Sequence, residues 1–184
     1  NEEWTGLLLE SGKWFPVARN DEINLQIETV SKDNINSIFK KYNVPYEFDL
    51  LSVDIDSFDY WVTKEILTQY SPRVVMVEVN VRFEPTESWR LRDDPNWDWN
   101  GTKWYGASPM AYKKMFNDAG YTPVYTHVDD LIAVRNDVLR ENGFSEPEWK
   151  YVYPHSNAPL YNTHNMNGTQ PLITELNLDE WEEV

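Results

Sequence analysis

Cysteine is absent from the 184 residues. That excludes a disulfide framework, a thiolate zinc site and a cysteine nucleophile. Basic residues are scarce: 16 lysines and arginines stand against 31 acids, a formal charge of −15. Nucleic-acid binding through phosphates needs a basic face, and so does an anionic membrane surface, so neither partner is expected. No apolar run reaches transmembrane length and no signal-peptide pattern opens the chain, which sets the expectation of a cytoplasmic protein. Internal repeats and low-complexity blocks are missing too. Two sequons, at Asn100 and Asn167, read as loop markers. A hydrophobic share of 41% at this length is enough for one domain with a real core.

The most informative stretch runs from Phe48 to Asn80. Leu50, Leu51, Val53 and Ile55 form an apolar run too short for a free-standing helix, ending in Asp54 and Asp56. It suits a strand buried on both faces, as in a parallel sheet. Phe58, Val62, Ile66, Leu67 and Tyr70 then recur at helical spacing, and Pro72 stops that helix. Val74 to Val79 makes a second buried strand carrying Glu78, with Asn80 after it. Strand, helix and strand in about thirty residues form a βαβ unit, whose strand ends open on one rim where ligands bind. Asp54, Asp56, Glu78 and Asn80 are hard oxygen donors on that rim, a set that suits Mg2+. An acid placed after a strand also commonly caps the next helix, so one of Asp54 and Asp56 has that alternative task. Glu78 inside an apolar strand has no such structural use, because an unpaired buried carboxylate is costly.

Elsewhere, Trp4 to Glu10 reads as a turn into a strand, Ser11 to Asn24 as loop, and Leu25 to Val30 as a weakly alternating strand. Ser31 is placed to cap a helix with Ile35, Ile38, Phe39 and Tyr42 on one face and Lys40 and Lys41 in its last turn. From Arg82 to Tyr105 no period survives. That long loop holds Trp89, Trp97, Trp99 and Trp104, and with Tyr105 these rings are candidates for stacking on a sugar; packing of the loop onto the sheet is the alternative. Ser108-Pro109 opens a helix with Ala111, Tyr112, Met115, Phe116 and Ala119 inward and Gly120 closing it. Tyr121 to Thr126 and Leu131 to Val134 read as an antiparallel pair. His127, between them, is a candidate base or an ordinary surface histidine. Residues 1–143 form the expected domain, and 144–184 an irregular tail, packed on it or extending from it, whose last six residues are expected to be disordered.

DLLSVDIDSFDYWV, RVVMVEVN, WYGAS before a helix ending in AGY, and LIAVRND resemble, in that order, the S-adenosylmethionine-dependent methyltransferases near the FkbM-like group. WTGLLLE resembles that family's second strand, whose terminal acid holds the ribose of the cofactor; here that acid is Glu10. The resemblance spans roughly Trp4 to Asp137. It implies a Rossmann-like α/β fold of the class I methyltransferase type, a mostly parallel sheet with an antiparallel edge pair. The family's first strand and glycine-rich loop would precede WTGLLLE, yet no Gly-x-Gly occurs anywhere in the chain. The expectation is therefore an N-terminally truncated version, with other domains of a longer polypeptide as possible partners.

The implied activity is O-methylation of a hydroxyl on a small molecule or glycan, with S-adenosylmethionine as cofactor. Asp54, Glu78 and His127 are the candidate catalytic residues. Glu10 and Asp54 are expected to hold the cofactor, Asp54, Asp56, Glu78 and Asn80 a Mg2+ ion, and Trp97, Trp99, Trp104 and Tyr105 the acceptor. Two rival readings stay open: a glycosyltransferase using Asp54-x-Asp56 for a metal and nucleotide sugar, and a non-catalytic remnant domain.

Overall fold

The computed structural model describes residues 5–13, 17–94, 97, 99, 101, 104–154 and 176–184. Trp4 and the two sequon asparagines lie outside them. The central sheet has four strands, in the order β3 (Leu50–Val53), β4 (Val74–Glu78), β7 (Asp130–Arg135), β6 (Tyr121–His127). β3 and β4 pair in parallel, Leu51 opposite Val75 and Val53 opposite Val77. The expected βαβ unit is closed by α2 (Asp59–Ile66), which buries Val62 and Ile66. β7 runs antiparallel to β4, and β6 antiparallel to β7, so the expected hairpin stands at one side of the sheet.

Three expectations about strands need correction. The central sheet is mixed and not mostly parallel, because only β3 and β4 pair in parallel while β7 and β6 return by a hairpin. β3 is an edge strand buried on one face only: Leu51 and Val53 are inside while Leu50 and Ser52 are exposed. β1 (Leu8–Glu10) does not join the central sheet. It pairs in parallel with β2 (Leu25–Ile27) in a separate two-stranded ladder, Leu8 opposite Leu25 and Glu10 opposite Ile27. The side chain of Asn24 (φ +51°) donates to the Gly6 carbonyl at 2.8 Å, which ties this short ladder to itself.

Helix starts follow local chemistry. α3 (Pro109–Asp118) begins as read, with Ser108 Oγ accepting from the Ala111 amide at 3.2 Å and Pro109 in the first position. Its inward face is Ala111, Tyr112, Met115 and Phe116, while Ala119 at the C-cap is exposed. In α1 (Ile35–Lys41) the cap shifts from Ser31 to Asn34. The Asn34 side chain accepts from the Ser31 amide at 2.8 Å, and the intervening turn precedes the helix proper.

The tryptophan loop is less formless than its sequence. β5 (Trp89–Leu91) pairs antiparallel with β8 (Trp181–Glu183), so the chain's last residues form a strand where disorder was expected. Hydrophobic burial accounts for this. Trp181 is 1% exposed, 5.3 Å from the Phe83 ring and 6.0 Å from Trp104, in a second small core with Leu91 and Leu176. Arg90 adds a 2.8 Å ion pair to Glu182. α4 (Asn136–Glu141) ends near Gly143, and α5 (Trp149–Val152) follows. Val152 and Tyr153 enter the main core, so residues beyond 143 are packed into the domain. Among the described residues no helix is long and apolar enough to cross a membrane.

Removing the indole that anchors β8 should be costly. Trp181→Ala is expected to lower stability by about 3–5 kcal/mol in urea unfolding, the usual cost of deleting a buried large aromatic ring. A loss below about 1 kcal/mol would mean the terminal strand contributes little.

Candidate functional site

Because β3 and β4 are parallel, their carboxyl ends open on the same rim. Asp54 follows β3, Asp56 lies two residues further, and Glu78 ends β4. One carboxylate oxygen from each lies within 4.8 Å of the other two. The turn that arranges them is held by a fourth acid. Asp59, the first residue of α2, is fully buried; its Oδ1 accepts from the Ile55 amide at 2.7 Å and its Oδ2 from Ser57 at 3.0 Å. Asp59 therefore braces the turn that precedes α2; the N-cap is Phe58, with no side-chain cap bond, so neither Asp54 nor Asp56 performs the capping considered for them. Asp56 sits at φ +66°, in the left-handed region that aspartate tolerates better than most residues.

Electrostatically the rim is crowded. Burial, then the charges of Asp59, Asp54, Asp129 and Asp56, push the Glu78 carboxyl up to about 9. Its Oε2 is buried with no hydrogen-bond partner. Asp54 is also raised, first by desolvation and then by Asp56, Asp130 and Asp129. Burial moves Asp59 to about 7 against the pull of its backbone hydrogen bonds. The β6–β7 hairpin brings Asp129 and Asp130 to the same rim: Asp130 pairs with Glu78 across the ladder, and the Asp129 carbonyl accepts from Val79 at 2.7 Å. The turn forces Val128 to φ +58°. A β-branched residue there stores local strain on the order of 1–3 kcal/mol.

A concentration of carboxylates with one buried, orphaned oxygen is energetically poor by itself and suited to a hard divalent cation. Ligation would satisfy Glu78 Oε2 and offset the mutual repulsion of the three acids. The residues present thus fit the Mg2+ expected from the sequence.

The other sequence candidates have varied places. Asn80 is fully buried and its amide ties the loop together: Nδ2 donates to the Tyr105 carbonyl at 3.1 Å and Oδ1 accepts from the Arg82 amide at 3.2 Å. Its side chain thus has a structural task in this turn beside the ligand role expected of it. His127 is exposed and stacked on Tyr125 with ring centroids 6.5 Å apart. It lies two strands from β4, roughly 10 Å at normal strand spacing, so it is not brought against Glu78. Glu10 ends β1 in the separate ladder, exposed, with Oε1 accepting from the Gly12 amide at 3.2 Å.

Of the aromatic candidates, Trp97 packs edge-on against Phe58 at 5.7 Å and Trp104 against Trp181, which is loop packing. Trp99 is half-buried. Tyr105 is nearer the chemistry: its phenol is pushed up by burial and then by Glu78 and Asp129, which places it in the field of the rim. Sequence reasoning gave Asp59 only the task of favouring the start of the helix, and passed over Asp129 and Asp130. The Asp129-Asp130 pair at a tight hairpin was the available signal, since a β6–β7 turn returns beside β4.

The fold and site together define a mixed α/β protein with a carboxylate trio at the ends of two parallel strands. No family model, curated protein or solved structure matches the chain.

The Glu78 shift has a consequence for stability. An acid whose folded value lies above its unfolded one, here about 9 against 4.5, favours folding fully only below about pH 4.5. That contribution is lost as pH climbs toward 9. Metal-free protein should therefore lose stability between pH 5 and 9, and Glu78→Gln should flatten the decline, read by urea unfolding across that range. An unchanged slope in the variant would contradict a buried, uncompensated Glu78.

Proposed function

We propose that this chain is the core of an S-adenosylmethionine-dependent O-methyltransferase acting on a hydroxyl of a sugar or glycan, with Asp54, Asp56 and Glu78 holding a divalent cation at the acceptor. The supporting observation is the carboxylate trio, one of whose members, Glu78, has a buried Oε2 with no hydrogen-bond partner. Methyl transfer asks little covalent work of a protein: the acceptor oxygen must be placed in line with the methyl group and its proton removed or offset. S-adenosylmethionine supplies an electrophilic methyl group when bound. Asp54, the most exposed of the trio, would take the hydroxyl proton, and Glu78 and Asp56 would hold the cation, which would supply polarisation of the acceptor oxygen. Glu10 at the end of β1 is the acid available for the ribose hydroxyls. The exposed, stacked rings of Tyr125 and His127 offer a face for a sugar near this rim, whereas Trp97 and Trp104 are occupied in packing. No Gly-x-Gly occurs in the chain, so the methionine end of the cofactor falls to other backbone or to another domain.

Glycosyl transfer is the second reading. Both acids of Asp54-x-Asp56 belong to the trio, as manganese chelation to a nucleotide sugar would require. Titrating wild type and Asp54→Asn with S-adenosylmethionine and with nucleotide sugars, each with and without Mg2+ or Mn2+, separates the two. Methyl transfer predicts a turnover loss of about a hundred- to ten-thousand-fold in the variant, with S-adenosylmethionine affinity nearly unchanged. Manganese-dependent nucleotide-sugar binding that vanishes in the variant would overturn it.

A further inference from the structure

Arg82 lies four residues beyond Glu78, on the turn leaving β4. Its backbone is fixed on both sides. The Asn80 side chain accepts from its amide at 3.2 Å, and the buried Tyr153 hydroxyl lies 2.8 Å from the Val81 carbonyl and 3.0 Å from that of Phe83. The Trp149 indole donates to the Pro85 carbonyl at 2.9 Å, holding the next residues. A turn clamped this way presents its side chain from a constant position.

The side chain itself is uncommitted. Arg82 is half-buried, yet among the described residues no hydrogen bond or ion pair reaches its guanidinium. The contrast is with Arg90, Arg92 and Arg135, each paired with a carboxylate. In a chain with 31 acids and 16 bases, a desolvated arginine left without an acid is unusual. Burial lowers its proton affinity, and the one neighbouring group that opposes this is the Tyr105 phenol. That phenol also feels Glu78, and the Asn80 side chain, two residues past Glu78, bonds both the Arg82 amide at 3.2 Å and the Tyr105 carbonyl at 3.1 Å, which ties Arg82 and Tyr105 together beside the end of β4. A guanidinium partly stripped of water, on a fixed stretch of backbone, can bind a planar oxyanion through two parallel N–H donors.

We propose that Arg82 is the anion-binding residue of this rim and that the acceptor is a monocarboxylate sugar or hydroxy acid, its carboxylate on Arg82 and its hydroxyl toward Asp54. The identification of the hydroxyl as an acceptor rests on the methyltransferase reading; carboxylate binding at Arg82 does not. A single carboxylate suits the site better than a phosphate dianion, because the surrounding charge of −15 repels each further negative charge.

Calorimetric titration with D-glucuronate, D-glucose and inorganic phosphate, in EDTA and without S-adenosylmethionine, tests this directly. Glucuronate should bind at least about tenfold more tightly than glucose or phosphate, since charge-assisted bidentate pairs are the strong ones. Arg82→Gln should erase that preference. Arg82→Lys, which keeps the charge and loses the fork, should weaken it several-fold, and Arg19→Gln, a change to an exposed arginine paired with Asp21, should leave it intact. Equal binding of glucuronate and glucose, tighter binding of phosphate, or a preference that survives in Arg82→Gln would each overturn the proposal. Metal and cofactor are absent from this titration, so its failure would leave the carboxylate trio standing, and failure of the trio would leave this result standing.

Discussion

The parallel pairing of β3 with β4, Val53 opposite Val77, brings Asp54 and Glu78 out of adjacent strands at the same height. Three acids then share a space in which one oxygen of each lies within 4.8 Å of the others, and Glu78 Oε2 is buried with nothing to bond. Strand pairing alone would not tolerate this, because like charges at such range oppose folding. The rim is held by the apolar ladder behind it: Leu51, Val53, Val75 and Val77 on the inward face, with Leu131 and Ala133 of β7 beside them. Hydrophobic burial fixes the strands, and the strands hold the acids together.

Asp59 lets this arrangement exist without sacrificing either rim aspartate. Its two backbone hydrogen bonds organise the turn after β3, so Asp56 can occupy a left-handed conformation and point its carboxylate toward Asp54 and Glu78. The second anchor lies after β4. There Asn80 and Tyr153 hold the turn from both sides, and the small core around Trp181 brings the chain's end back onto β5. The rim thus sits between two stiff turns, as a site that must place two reactants needs.

The βαβ unit, the α3 cap at Ser108-Pro109 and the β6–β7 hairpin were legible because each rests on local chemistry: short apolar runs, a serine before a proline, a glycine closing a helix. The trio of Asp54, Asp56 and Glu78 followed from those, since parallel strands share a rim. What was not legible depended on contacts distant in sequence. β1 pairs with β2 alone, a choice that three-residue strands do not encode. β8 finds β5 across some ninety residues because Trp181 fits beside Phe83, and nothing local announces it. Asn80 reads as a metal donor from its oxygen alone; its bonds to the Tyr105 carbonyl and the Arg82 amide depend on how the loop returns. The tryptophans were noticed for their number, but two of them are held edge-on by Phe58 and Trp181.

The central claim is that Asp54, Asp56 and Glu78 bind one divalent cation together. Crystals grown with Mn2+ and measured for anomalous scattering locate that ion without any assumption about the reaction. The account predicts a single strong peak bonded to all three carboxylates, with Glu78 Oε2 as one of the ligands at about 2.1 to 2.3 Å, close to the range for hard-cation oxygen ligands. A peak elsewhere on the acidic surface, or an empty rim in which Glu78 shares a proton with a neighbouring acid, would contradict it.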